Sequence, residues 1–312
     1  MDDISNLITK AQSWAPARMA IATVVQTWGS APRPRGSHML VNEDGRFEGS
    51  VSGGCVENAI LASAESVIAS GESVLHRFGV SDGDAWEAGL PCGGEIAVLV
   101  QPVTDAGFAP ALLDQVREAR ARGETLAVST DVESGLSVAG ERPGQFVNRY
   151  RPPRRLIITG AVQIAQGLAG LARELGIATT IVDPRGRFLT RERFPDAMLD
   201  DRWPDEAVVA LRPNLATAVV TLSHDPKIDD PALIEALRAP TGYVAALGSR
   251  KSHAARRERL AAAGISPADL DRIDGPAGID IGALGPGEIA LSIAAGMIQA
   301  FNRVDARMTE AA

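Results

Sequence analysis

The sequence predicts an α/β protein: a C-terminal Rossmann-like parallel sheet with helices on both faces, preceded by a smaller α/β domain with a mixed sheet. Three observations point there. Leu156-Ile157-Ile158-Thr159 is a short apolar run that ends in Gly160-Ala161, the pattern of a buried parallel strand entering a turn. Ile164, Leu168, Leu171 and Leu175 then recur at helical spacing, and a second apolar run, 179–182, ends in Asp183-Pro184-Arg185. Beyond it, strand-like stretches at 207–211, 218–222 and 243–247 alternate with helical ones at 231–237 and 251–263.

The first half has its own order. Residues 19–27 are apolar and rich in β-branched side chains, a buried strand. Residues 28–36 form a loop rich in Pro, Gly and Arg, and 37–41 and 47–51 flank Asp44-Gly45, a hairpin signal. A helix over 55–70 carries Ile60, Ala64, Val67 and Ile68 on one face. Strands at 73–78 and 95–100, a helix at 109–121 and a strand at 125–130 follow. The stretch 141–155 holds Arg-Pro-Gly and Arg-Pro-Pro-Arg-Arg with little apolar content and marks the boundary between domains 1–145 and 154–312. A last helix starts near Pro286, with Ile289, Ile293, Met297 and Ala300 on its apolar face.

Composition narrows the function. With 312 residues, 45% hydrophobic and 22% charged, the chain is that of a soluble two-domain protein. No apolar run is long enough for a membrane span, and the acidic start Met1-Asp2-Asp3 lacks the character of a secretory signal, so a cytoplasmic location is expected. A net charge of −8 argues against nucleic-acid and anionic-membrane partners. Two cysteines and four histidines without Cys-x-x-Cys or His-x-x-x-His spacing do not make a structural zinc site.

Both cysteines are flanked by glycines: Ser52-Gly53-Gly54-Cys55-Val56-Glu57 and Gly89-Leu90-Pro91-Cys92-Gly93-Gly94. Gly53-Gly54 lets the backbone turn sharply, and a thiol at a helix start lies at the positive end of the dipole, which favours the thiolate. A thiolate is a nucleophile, a redox centre or a soft metal ligand; the alternative for both residues is a small buried hydrophobe. Arg33 and Arg35, separated by Pro34, offer guanidinium forks suited to phosphate or carboxylate, or else a solubilising loop.

The dinucleotide fingerprint is damaged. Asp183 lies 23 positions after Gly160, close to where a ribose-binding acid belongs. Yet the glycine pattern reads Gly160-Ala161-Val162-Gln163-Ile164-Ala165, and Val162 stands where glycine lets the backbone approach a pyrophosphate. NAD(P) is therefore not expected. Further polar clusters follow later strands: Asp183-Pro184-Arg185, Ser223-His224-Asp225-Pro226-Lys227 and Gly248-Ser249-Arg250-Lys251-Ser252-His253, the last with the donors and cations of an anion site. His224 beside Asp225 reads as acid–base machinery or as a cap of the next turn, and Arg256, Arg257 and Arg259 as a solvated helix face. Asp280 sits in a glycine-flanked loop.

These motifs together resemble the XdhC/CoxI family of molybdenum-hydroxylase accessory proteins. The resemblance rests on Thr27-Trp28-Gly29-Ser30-Ala31-Pro32-Arg33-Pro34, on both cysteine motifs, and on Asp183-Pro184-Arg185, His224-Asp225-Pro226-Lys227, Ala246-Leu247-Gly248-Ser249-Arg250-Lys251 and Gly278-Ile279-Asp280-Ile281-Gly282-Ala283. It implies a chaperone that binds molybdenum cofactor and supports its sulfuration and insertion, with a molybdenum hydroxylase as client, a cysteine desulfurase as further partner, and a homodimer as assembly. The rival readings are an NAD(P)-dependent oxidoreductase and a non-catalytic scaffold. The resemblance makes Arg33, Arg35, Gly53, Gly54, Cys55, Glu57, Cys92, Gly160, Asp183, Arg185, His224, Asp225, Gly248, Ser249 and Arg250 the expected cofactor contacts, with Cys55 at the metal and a crevice between the domains as their common place. Gln163 and Gly296 depart from relatives that carry His and Glu there, which counts against a catalytic role for the second half.

Overall fold

Met19–Trp28 (β1) has six buried residues in its middle, and a strand so covered belongs at the centre of a sheet. The computed structural model, which describes residues 3–31, 33–79 and 94–310, divides the chain between Pro152 and Pro153 into two compact units. In the first, β1 pairs with β2 (His38–Asn42) and β5 (Glu95–Pro102), with β3 (Phe47–Gly49) and β4 (Val74–Phe78) outside them. A second sheet joins β6 (Leu126–Thr130), β7 (Ser137–Ala139) and β8 (Phe146–Tyr150). The pairings of these strands are antiparallel, which narrows the mixed sheet expected for this half. The stretch expected as a linker supplies β8, because Phe146 and Tyr150 are buried at its two ends.

Alternation along β1 sends Ala20, Ala22 and Val24 to one face, under Ile60, Ala64 and Val67 of α2 (Glu57–Ser70). Ile21 points to the other, with α1 (Asp3–Trp14) and α3 (Pro110–Ala121).

The second unit is a six-stranded parallel sheet: β9 (Arg155–Thr159), β10 (Ala178–Val182), β11 (Met198–Asp200), β12 (Thr217–Thr221), β13 (Tyr243–Ala246) and β14 (Ile273–Asp274). Their spatial order is β11-β10-β9-β12-β13-β14, the doubly wound Rossmann arrangement, whose switch point lies between β9 and β12. α4 (Gln163–Glu174) and α9 (Pro286–Glu310) cover the face of Leu156 and Ile158. α5 (Pro204–Leu211), α6 (Pro226–Arg238) and α7 (Arg250–Ala262) cover the face of Ile157, and the short α8 (Pro267–Leu270) leads to β14. Residues 207–211, expected as a strand, are the second half of α5: Pro204 sits in its first turn with Asp205 and Glu206, a strong helix start. Among the described residues no helix is long and apolar enough to cross a membrane.

Candidate functional site

The Cys55 loop is built around one carboxylate. Ser50 N donates to the His38 carbonyl at 3.0 Å, so the chain leaving β3 starts at the same sheet end where it enters β2. From there Ser50–Val56 curls over Glu57, the first residue of α2. Glu57 Oε1 accepts from Ser50 Oγ at 2.5 Å and Ser52 N at 3.0 Å; Oε2 accepts from Ser52 Oγ, Gly54 N at 2.8 Å and Val56 N at 3.2 Å. Burial alone would raise this carboxyl, but the Ser50 and Ser52 donors outweigh it and bring it down to about 2. Gly53 and Gly54 take φ of 77° and 119°, where side chains are disfavoured, and nothing lies within 4 Å of where their Cβ atoms would stand. Val51, Ser52 and Val56 are buried while Cys55 is exposed. The loop is thus pinned from within, with its thiol outward and open space over its glycines. Glu57 faces into the loop and acts on Cys55 through the backbone.

Arg33–Gly36 borders the same sheet end. The Arg35 guanidinium lies over the Phe146 ring at 4.7 Å, and Asn148 Nδ2 donates to the Gly36 carbonyl at 3.3 Å. Beneath is a buried polar network that no spacing in the sequence announces: His38 bonds Thr23 Oγ1 at 2.9 Å, Tyr150 OH at 2.9 Å and Asn148 Nδ2 at 3.1 Å. Burial raises the Tyr150 phenol above its usual value. Gly94 lies against the Ser30 carbonyl at this end as well; Cys92 lies outside the described residues. Among the described residues no group of three or more His, Cys, Asp or Glu could hold a metal ion.

In the second unit the expected residues gather on a crest at the C-terminal ends of β9, β10, β12 and β13. Gly160, with φ 97°, passes so close to β12 that a Cβ would stand 2.7 Å from Ser223 N. Asp183 is fully buried and closed on itself: Oδ2 accepts from Ala161 N at 2.8 Å and Arg185 Nη2 at 2.7 Å, while Oδ1 accepts from Arg185 N and Nε, both at 2.9 Å. Burial would push this carboxyl up, but Arg185 and the Ala161 N–H hold it below its usual range. A carboxylate so engaged has little left for a ribose.

The turn after β12 carries His224 exposed at φ 63°, unusual for a residue with a side chain. Asp229 of α6 holds that turn from below, accepting from Ser223 N at 3.2 Å, Ser223 Oγ at 2.7 Å and His224 N at 3.1 Å. Asp225 caps α6 by accepting from Lys227 N at 2.9 Å. Gly248 leads into Ser249, which caps α7 through Ser252 N; Ser249 and Arg250 are exposed. Arg256, expected on a solvated face, is only 4% exposed: Nη2 donates to the Leu247 carbonyl at 2.9 Å and stands 3.9 Å from Asp229. Burial dominates both partners, raising Asp229 and lowering Arg256. Its neighbours behave otherwise: Arg257 and Arg259 pair with Asp271 and Asp230 near the surface. The helical spacing of Arg256 with Leu260, also buried, was the signal available.

Residues 156–297, from β9 into α9, match the XdhC Rossmann domain, and residues 15–79 match the XdhC and CoxI family. The molybdenum cofactor insertion chaperone PaoD of Escherichia coli is 31% identical over 88% of this chain and 81% of its own. The chain belongs to the XdhC and CoxI family. A probable xanthine dehydrogenase subunit of Bacillus subtilis is 27% identical over 91% of this chain and 93% of its own. A crystal structure described as a xanthine dehydrogenase from Bacillus halodurans superposes with a TM-score of 0.78 at 27% identity, covering 97% of this chain and 96% of that one. In this family member the Arg33–Gly36 and Ser50–Glu57 loops fall inside the 15–79 match, and the crest from Gly160 to Arg250 falls inside the 156–297 match.

Proposed function

We propose that this protein is a maturation factor that holds molybdenum cofactor as cargo and delivers it to a molybdenum hydroxylase. The observation that carries the reading is the Cys55 loop, a rigid backbone pinned by Glu57 that keeps a thiol outward beside two glycines. A soft sulfur ligand suits molybdenum, and the open space above Gly53 and Gly54 leaves room for a bulky cargo. Arg33 and Arg35, in the same unit as Cys55, are assigned to the cargo's phosphate, and Arg250, His224 and Ser249 are the polar groups that the second unit offers by itself. The names of the two relatives favour this role: one is a cofactor insertion chaperone, the other a probable xanthine dehydrogenase subunit. Sulfuration of the cargo by a cysteine desulfurase, a cytoplasmic location and a homodimeric assembly complete the proposal.

The test is cargo retention. Protein purified from a cofactor-producing host is assayed for molybdenum by mass spectrometry and for pterin by fluorescence after oxidation. Cys55→Ser should lose the molybdenum; wild-type content in that variant sinks the assignment. Arg35→Ala and Arg250→Ala should each weaken retention by about 1.5–3 kcal/mol, the range for a charged hydrogen bond.

The strand order favours a second reading, an NAD(P)-dependent oxidoreductase. Against it stand Val162 at the close-approach position and the closed Asp183–Arg185 pair. Calorimetric titration with NAD and NADP in both redox states decides between them, and micromolar binding of any of the four favours the oxidoreductase.

A further inference from the structure

The second unit carries a cavity of about 700 Å³ that includes none of the crest residues Gly160, Asp183, Arg185, His224, Asp225, Gly248, Ser249 and Arg250. Tyr243 opens β13 and Leu215 precedes β12, so the cavity lies toward the N-terminal ends of the strands, the opposite end of the sheet from the crest. One wall is α9, where Gly296, Gln299, Arg303 and Arg307 follow one another at helical spacing along the lining. The other is edge strand β14 and the chain after it. There Tyr243 OH donates to Asp274 Oδ2 at 2.5 Å and Gly278 N donates to the same oxygen at 3.0 Å. Gly296 makes room for this pair, since a Cβ there would stand 2.9 Å from the phenol oxygen.

The charges on these walls are unevenly matched. Arg272 is fully engaged by the carbonyls of Leu237, Ala239 and Thr241 and by Asp269, and Asp271 is paired with Arg257. Arg303 and Arg307 make no ion pair among the described residues, although the chain as a whole carries a net charge of −8. Asp274 Oδ1 has no hydrogen bond among the described residues, and so keeps an acceptor for a ligand. Two cations one turn apart, a free carboxylate oxygen and a volume in the range of small-molecule sites make a built polar pocket. Two guanidiniums so placed fit a phosphate group.

We propose that this cavity is a second binding site, for an organic phosphate of about nucleotide size. The phosphate lies on Arg303 and Arg307, and an N–H or O–H of the ligand body donates to Asp274 Oδ1. It lies at the opposite end of the parallel sheet from Arg250 and does not rest on the cargo contacts assigned to Cys55, Arg35 and Arg250.

Calorimetric titration of the full chain with inorganic pyrophosphate and with guanosine monophosphate tests it. Both probes should bind saturably, and the double variant Arg303→Ala/Arg307→Ala, altered only at exposed side chains, should weaken both at least tenfold. Asp274→Asn should weaken the nucleotide severalfold and leave pyrophosphate unchanged, while Arg117→Ala, an exposed arginine of α3 outside every proposed contact, should alter neither. Absence of saturable binding by either probe overturns the proposal. So does binding that survives in the double arginine variant or is lost in Arg117→Ala.

Discussion

The two sheet ends use the same device to opposite effect. At the end of the antiparallel sheet, the Glu57 carboxylate gathers the N–H groups of Ser52, Gly54 and Val56, and the next residue out, Cys55, is left exposed. On the crest of the parallel sheet, Asp183 and Asp229 gather the N–H groups of Ala161, Arg185, Ser223 and His224, but they also draw in the cations around them. The first arrangement presents an exposed thiol; the second closes its buried carboxylates on its own cations. An acid near a glycine turn is therefore ambiguous by itself. What decides its role is whether its hydrogen bonds close inward or leave a neighbour facing out.

The strongest way to break the comparison is to remove the buried Asp229 carboxylate. Asp229 is 1% exposed, and its loss leaves Ser223 N and His224 N without their acceptor and the buried Arg256 guanidinium, 3.9 Å away, without its counter-charge. Asp229→Ala should destabilise the second unit by about 3–5 kcal/mol, the range for breaking a buried ion pair. Urea unfolding reads this, and a change below about 1 kcal/mol would mean the crest does not depend on that contact.

Glu57→Gln comes next, at about 2–3 kcal/mol, because a neutral amide accepts more weakly than a carboxylate and its NH2 opposes the N–H groups of the loop. The effect depends on pH with a definite sign. The folded carboxyl sits at about 2 against an ordinary 4.5, so its stabilisation is complete above about pH 4.5 and is lost as pH falls toward 2. The gap in urea midpoint between wild type and Glu57→Gln should be full at about pH 7 and narrow steadily below about pH 4. A constant gap across that range contradicts the assigned role.

Gly160→Ala is smaller, about 2 kcal/mol, from a φ of 97° and a Cβ placed 2.7 Å from the Ser223 backbone. It probes the β9–β12 switch point without touching a charge.

How much of this was legible in the sequence follows the range of the interactions. The β9–Gly160–α4–β10–Asp183 succession is local, and its periodicities and turn are read directly from neighbouring residues. The Cys55 loop was legible too, in its glycines and in the helix that follows. α5 was misread because its apolar residues, Ala207 to Leu211, look alike in a strand and a helix; the proline and acids before them carried the distinction. Asp229 with Arg256, and His38 with Thr23, Asn148 and Tyr150, could not be paired at all. Their partners lie on different elements, up to 112 residues apart, and only the packed sheets bring them together.

The smallest expected effect on stability is also the sharpest test of the contrast. Cys55 is exposed, lies outside the helix hydrogen bonds of α2, and supplies no bond to the Glu57 cluster through its side chain. Cys55→Ser changes one exposed sulfur to oxygen and should shift folding stability by no more than about 0.5 kcal/mol, as surface substitutions do. The same variant is the one expected to lose molybdenum. A urea midpoint equal to wild type, together with lost cargo, separates the thiol's chemistry from the loop's architecture. A loss of more than about 1 kcal/mol would instead make Cys55 part of the scaffold, and the two sheet ends would then differ only in which charges they bury.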